Sequence, residues 1–286
     1  MIVNEGGSMP GVGPIHISEI EPTLKALEKV LGIDIHDNVL GSVGKKEFSG
    51  DIDVALQIDT DKIPEFVERL KKTPLILDIK RSSVIMTKVQ IVDYDPEKQT
   101  SKERTGYVQV DFMPGDPEWM KTFYHAPHEK DSKYKGVFRN LLISSIVPHY
   151  QAKVSDETID DGRPVKQERW MWSSNDGLVR VIRKPKPRKD GKGYTKGWED
   201  TRISEPMKDP KEIVKTLGLD SPDDLYSFET LLAAIEKNYP PDLVKKVKQS
   251  FADNRTAQDI GLPDEVKTTE SLADKQLRRI KELTGL

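Results

Sequence analysis

Cysteine is absent from the 286 residues, so disulfides, thiolate metal sites and cysteine nucleophiles are excluded together. No apolar run approaches the roughly 18 residues of a membrane span. Neither sign of charge dominates: 45 Lys and Arg stand against 48 Asp and Glu, a net charge of -3. That balance removes bulk attraction to nucleic acid as a driving force and leaves local patches open. The first 14 residues are rich in glycine and lack the apolar centre of a signal peptide. A flexible arm is expected over 1–17, on a cytoplasmic protein with no membrane partner. No internal repeat and no low-complexity tract is visible.

The most informative stretch is Val39-Leu40-Gly41-Ser42 and the segment that follows, up to Leu56. It reads as a small-residue turn, a short polar loop, and a strand carrying two aspartates. Side chains alternate faces along a strand. Asp51, Asp53, Ala55 and Gln57 therefore share one face, and Ile52, Val54, Leu56 and Ile58 the other. The apolar face suits a core, while the carboxylates suit a cleft that holds Mg²⁺, a cation of hard oxygen ligands. A third carboxylate is offered by Asp111. It lies in a run where Val108, Val110 and Phe112 take one face and Gln109 and Asp111 the other, ended by Pro114-Gly115.

Around these strands the pattern predicts a helix over 18–31, with Ser18 and Glu21 as capping box and Gly32 as its stop. A second helix is expected over 61–71, strands over 74–79 and 83–93, and a polar loop over 94–105. Helices over 116–124 and 132–147 follow, with Lys135 and Arg139 one turn apart. The expected fold is α/β (α+β), a mixed sheet with helices on one side. The expected division is a core over 18–150, a β-hairpin and basic loop region over 151–208, and a helical C-terminal region over 209–286. The hairpin is placed at Asn175-Asp176-Gly177. The helical region carries stripes at Leu225–Ile235, Leu243–Phe251 and Leu272–Leu283.

The Gly-Ser turn, the Asp-Ile-Asp strand and the later lone Asp resemble the DNA polymerase β-like nucleotidyltransferase superfamily, over roughly residues 18–147. Lys133-Tyr134-Lys135-Gly136-Val137-Phe138-Arg139-Asn140 and the chain length look like nucleotidyltransferases from bacteriophage genomes. The resemblance implies transfer of NMP from an NTP such as ATP to a hydroxyl acceptor. It implies two Mg²⁺ ions, with Mn²⁺ as a substitute, on Asp51, Asp53 and Asp111. Gly41 and Ser42 would meet the outer phosphates, and Lys45, Lys135 and Arg139 would add positive charge. Two ions about 3.5–4 Å apart can clamp the attacking and leaving oxygens of such a displacement.

Three ionised carboxylates about 5 Å apart repel by roughly 3 kcal/mol per pair at an effective dielectric near 20. A marginally stable fold should relieve that by binding metal or by keeping protons on. The segment 183–198 sets seven basic residues against one acid, Asp190, with Tyr194 and Trp198 interleaved. Lys186, Arg188, Lys189 and Lys192 are candidate nucleic-acid contacts, and a solvated hairpin is the competing reading. The basic stretch leans the acceptor toward an RNA or DNA end. A protein hydroxyl and a small molecule such as an aminoglycoside remain open. So do two other classes: a glycosyltransferase using Asp-x-Asp, and a non-catalytic nucleotide-binding module.

Overall fold

The computed structural model describes residues 8–82 and 84–267. Strand β1 (Ile15–His16) pairs antiparallel with the later β2 (Phe48–Ser49). Between them runs α1 (Ile17–Leu31), which turns Ile20, Leu24, Leu27 and Leu31 inward and stops at Gly32, φ 60°. Its capping box is formed by His16 and Glu19, two residues earlier than Ser18 and Glu21. Glu19 is buried against Arg104 and also accepts from the backbone of His16 and Asp95, so this carboxylate is fixed by three donors, not exposed. The expected flexible arm is corrected in part: Met9 is buried and its N–H donates to Gln109 Oε1 at 3.0 Å, and Ile15 is fully buried.

After β3 (Asp51–Leu56) and α2 (Ile63–Lys71) come β4 (Ile76–Arg81), β5 (Ile85–Gln90) and β6 (Tyr107–Pro114). They form one mixed sheet in the order β3-β6-β5-β4. β3 and β6 are parallel; the other two pairings are antiparallel. Ile52, Val54, Leu56, Val108, Val110 and Phe112 pack with Leu24, Leu27 and Phe66 of the helices on one face of this sheet. The opposite face carries Asp51, Asp53, Gln109 and Asp111 beside a small apolar cluster that includes Ala55 and Met113. This is the mixed α/β architecture expected of the sequence.

α3 (Pro117–Phe123), capped by Asp116, crosses to a second core. α4 (Gly136–Ile146) follows, then β7 (Lys153–Val154), β8 (Gln167–Ser173), β9 (Gly177–Pro187) and β10 (Tyr194–Arg202). These strands build an antiparallel sheet in the order β10-β9-β8-β7, so most of the expected basic loop is strand. α5 (Pro210–Thr216), α6 (Phe228–Asn238), α7 (Pro241–Ala252) and α8 (Arg255–Ile260) close the described chain. Trp119, Phe138, Trp172, Leu178, Phe228, Leu231 and Phe251 share one core. Segment 18–150 therefore contributes to both cores. The stripe Leu272, Leu277, Ile280 and Leu283 lies outside the described residues.

Candidate active site

Parallel pairing sets Asp53 opposite Asp111 in register, and Asp51 opposite Gln109. Alternation along both strands then puts all four side chains on the face away from the packed helices. The turn before β3 is tied to it: Leu40 N–H donates to the Asp53 carbonyl at 2.8 Å, and Val39 bridges Val54. Gly41 stands at φ 67°, and a Cβ added to it would meet Asp53 Oδ2 in ordinary contact at 3.7 Å. The positive φ is what calls for glycine here. Ser42 lies beyond it, exposed, and its carbonyl accepts from Lys45 N–H.

Burial is the first cause that raises the Asp53 carboxyl, to about 7, with the charges of Asp51 and Asp111 adding to it. Burial also raises Asp111, to about 6; Gln109 opposes this, and the Asp51 charge adds to it. Gln109 Nε2 spans both Asp111 oxygens at 2.9 and 3.0 Å and is itself buried. Burial raises Asp51 too, against the nearby positive charges of Lys102 and Lys135. Among the described residues no group of three or more His, Cys, Asp or Glu side chains is arranged so that it could hold a metal ion. The donor set still fits Mg²⁺, which commonly takes one or two carboxylates and completes its shell with water and substrate phosphates.

Beside the carboxylates opens a cleft of about 420 Å³, lined by Ser42, Lys45, Lys46, Asp51, Lys133 and Lys135 among others. Lys135 is the N-cap residue of α4, a helix with no acid in its first turn. Lys46 pairs with Glu129 across the cleft at 2.7 Å. Burial, then the charge of Arg139, lowers the Lys45 ammonium. The expected phosphate contact of Arg139 is corrected. Arg139 is 3% exposed and lies outside the cleft lining. It donates to the carbonyls of Thr122 and Phe123, both at 2.6 Å, and of Leu225 at 3.0 Å. Its position one turn after Lys135 faces the second core. A larger hollow of about 1300 Å³ lies along α7, but four lysines and four acids line it and no glycine turn faces it.

Tyr124 carried no signal in the sequence. Burial, with the Asp53 charge adding to it, raises its phenol, which also bonds the Ser174 side chain. His125, half-buried beside it, has no partner for Nε2. Burial, with Lys45 and Arg139 nearby, lowers that imidazole to about 4.

No protein-family model matches the chain, and no curated protein does. Among solved structures it is similar to Leishmania infantum polymerase beta in a ternary complex. That similarity has 14% identity and a TM-score of 0.35, over 74% of this chain and 76% of that one. No helix among the described residues is long and apolar enough to cross a membrane.

Proposed function

We propose that the chain is a metal-dependent nucleotidyltransferase that moves NMP from an NTP to a hydroxyl acceptor. The observation that supports it best is the register of Asp53 and Asp111 on adjoining parallel strands, with Gly41 against Asp53. The reaction is an in-line displacement at phosphorus, whose demands are positioning and neutralisation of charge. Gly41 and Ser42 would meet the outer phosphates through backbone and hydroxyl. Lys45, Lys46 and Lys135 would offset the triphosphate charge from the cleft wall. Asp51, Asp53 and Asp111 would hold Mg²⁺, which when bound supplies further neutralisation of the phosphates and acidifies the acceptor hydroxyl.

Asp111 is the candidate proton acceptor. Its carboxyl, raised to about 6, sits close to neutral pH, where a general base works best. The two N–H bonds from Gln109 favour its ionised form and fix its orientation. The proton would pass from the acceptor oxygen to Asp111 as the new O–P bond forms and the bond to the β-phosphate oxygen breaks.

The test is pyrophosphate release from labelled NTPs with Mg²⁺ and a mixture of RNA, DNA and protein acceptors. Release that Asp51→Ala abolishes is expected. No release with any acceptor, alongside retained NTP binding, would favour a nucleotide-binding module, a reading that the unfinished carboxylate cage supports. Stabilisation by UDP-sugar and Mn²⁺, but not by NTP and Mg²⁺, would favour sugar transfer.

A further inference from the structure

The strands β9 and β10 carry the basic stretch as an ordered ribbon. Arg163 reaches in from the preceding loop and donates to the carbonyls of Thr195 at 2.6 Å and Gly197 at 3.0 Å. Its guanidinium lies 5.2 Å from the Trp198 ring, and that of Arg183 lies 5.8 Å from the same ring. Arg183 in turn makes a bidentate pair with Asp200, both contacts at 2.6 Å. Trp198 is therefore taken up in a brace between two guanidinium groups, surroundings that do not favour a role as a base platform.

Past this brace the chemistry changes. Lys186, Lys189, Lys192, Lys196 and Tyr194 lie at the tip, and Tyr194 is 47% exposed. The single acid there, Asp190, is turned to Arg188 at 3.8 Å and accepts from the Lys192 backbone at 3.0 Å. A cationic tip on a chain of net charge -3 is a local feature and not a consequence of composition. Lysines with an exposed aromatic ring match a strand that offers phosphates and an unstacked base. Reading base edges in a duplex groove calls for Asn, Gln or bidentate Arg, and residues 184–198 contain no Asn, no Gln and only Arg188.

The ribbon also has a direction. At its other end the β8–β9 turn touches the active-site side: Trp119 Nε1 donates to the Ser174 carbonyl at 2.7 Å, and Tyr124 bonds the Ser174 side chain. β9 has 11 residues. At about 3.3 Å per residue the tip stands about 30 Å from that turn.

We propose that the tip of the β9–β10 hairpin binds single-stranded nucleic acid at a distance from the carboxylates. That this strand is the acceptor rests on the proposed activity; that it binds does not. The ordered brace means that little conformational freedom is lost on binding. A strand stacked as in a duplex advances about 3.4 Å per nucleotide, so about ten nucleotides separate the tip from the β8–β9 turn.

The experiment uses the full chain carrying Asp53→Asn, so that turnover does not consume the probe. Labelled oligo-dT and oligo-rU of about 20 nucleotides are titrated by fluorescence anisotropy in KCl between about 50 and 300 mM. Both arms are run because DNA and RNA share the chemistry, and the tighter arm names the source. Replacing Lys186, Lys189, Lys192 and Lys196 by Gln should flatten the slope of log K against log salt by about 3, at about 0.7 per contact. Tyr194→Ala should weaken binding about tenfold. An unchanged slope in the fourfold variant overturns the proposal. So does binding of a duplex or of heparin as tight as that of the strands, with Tyr194→Ala silent. Strand binding with no nucleotide transfer by the unmodified chain leaves the hairpin assignment standing and retires the enzyme reading. Transfer to a very short primer with no strand binding does the reverse.

Discussion

Asp53 faces Asp111 across two parallel strands, and the charge of Asp111 adds to burial in holding the Asp53 proton on up to about pH 7. The site is therefore an acid store as well as a candidate metal seat, and two consequences of that can be measured.

Asp53→Asn should raise the melting temperature in chelator at pH 8. A carboxyl that holds its proton more tightly in the folded than in the unfolded chain costs stability once it ionises. With the folded value near 7 and the ordinary value near 4, that cost builds as pH rises through this window and is constant above it. The variant should gain on the order of 1–3 kcal/mol at pH 8, or several degrees, and nothing at pH 4. Calorimetry at the two pH values checks this; an equal gain at both would place its origin elsewhere.

Mg²⁺ should stabilise the chain more strongly as pH rises from 6 to 8. Metal ligands must be deprotonated, so protons and Mg²⁺ compete for Asp53 and Asp111. Up to about a tenfold gain in affinity per pH unit is expected below pH 7 for each proton displaced, levelling off above it. Thermal shifts in Mg²⁺ titrations at pH 6, 7 and 8 report it. A pH-independent midpoint, or one that Asp111→Ala leaves unmoved, would argue against these ligands.

Arg139→Met should destabilise the chain without weakening NTP binding by the folded fraction. The buried guanidinium satisfies the carbonyls of Thr122 and Leu225, and Asn140 continues to serve only that of Phe123. Two buried carbonyls without donors cost about 3 kcal/mol together. Lys should restore part of the loss. Urea unfolding measures the first effect and nucleotide titration the second; a stable variant with weakened NTP binding would return Arg139 to the phosphates.

The sheet face was legible because alternation in two short runs, 51–56 and 107–112, assigns every residue a side. Pairing in register then follows from burying the apolar sides together. Gly41 was legible as a turn residue, although its approach to Asp53 belongs to the folded chain. Arg139 was misread because helical spacing gives its angle relative to Lys135 but not which side of α4 meets the second core. The capping box was misread by two residues because His16 can cap as Ser18 can, and only Arg104, far along the chain, selects Glu19. Tyr124 sits after α3, where no periodicity applies, and its nearness to Asp53 is set by the α3 crossing. The basic stretch showed its charge in the sequence, while its bracing depended on Arg163, outside the stretch.

The two-residue period that sets Asp51 and Asp53 against Asp111 also proofreads the assembly of the sheet. A slide of β3 by one position would thrust both acids among Leu24, Leu27, Phe66 and Phe112 and leave Ile52 and Val54 in the open. Bare carboxylates in that setting would each cost several kcal/mol, enough to make the shifted frame unpopulated. Charges that weaken the correct structure therefore weaken the nearest wrong one far more.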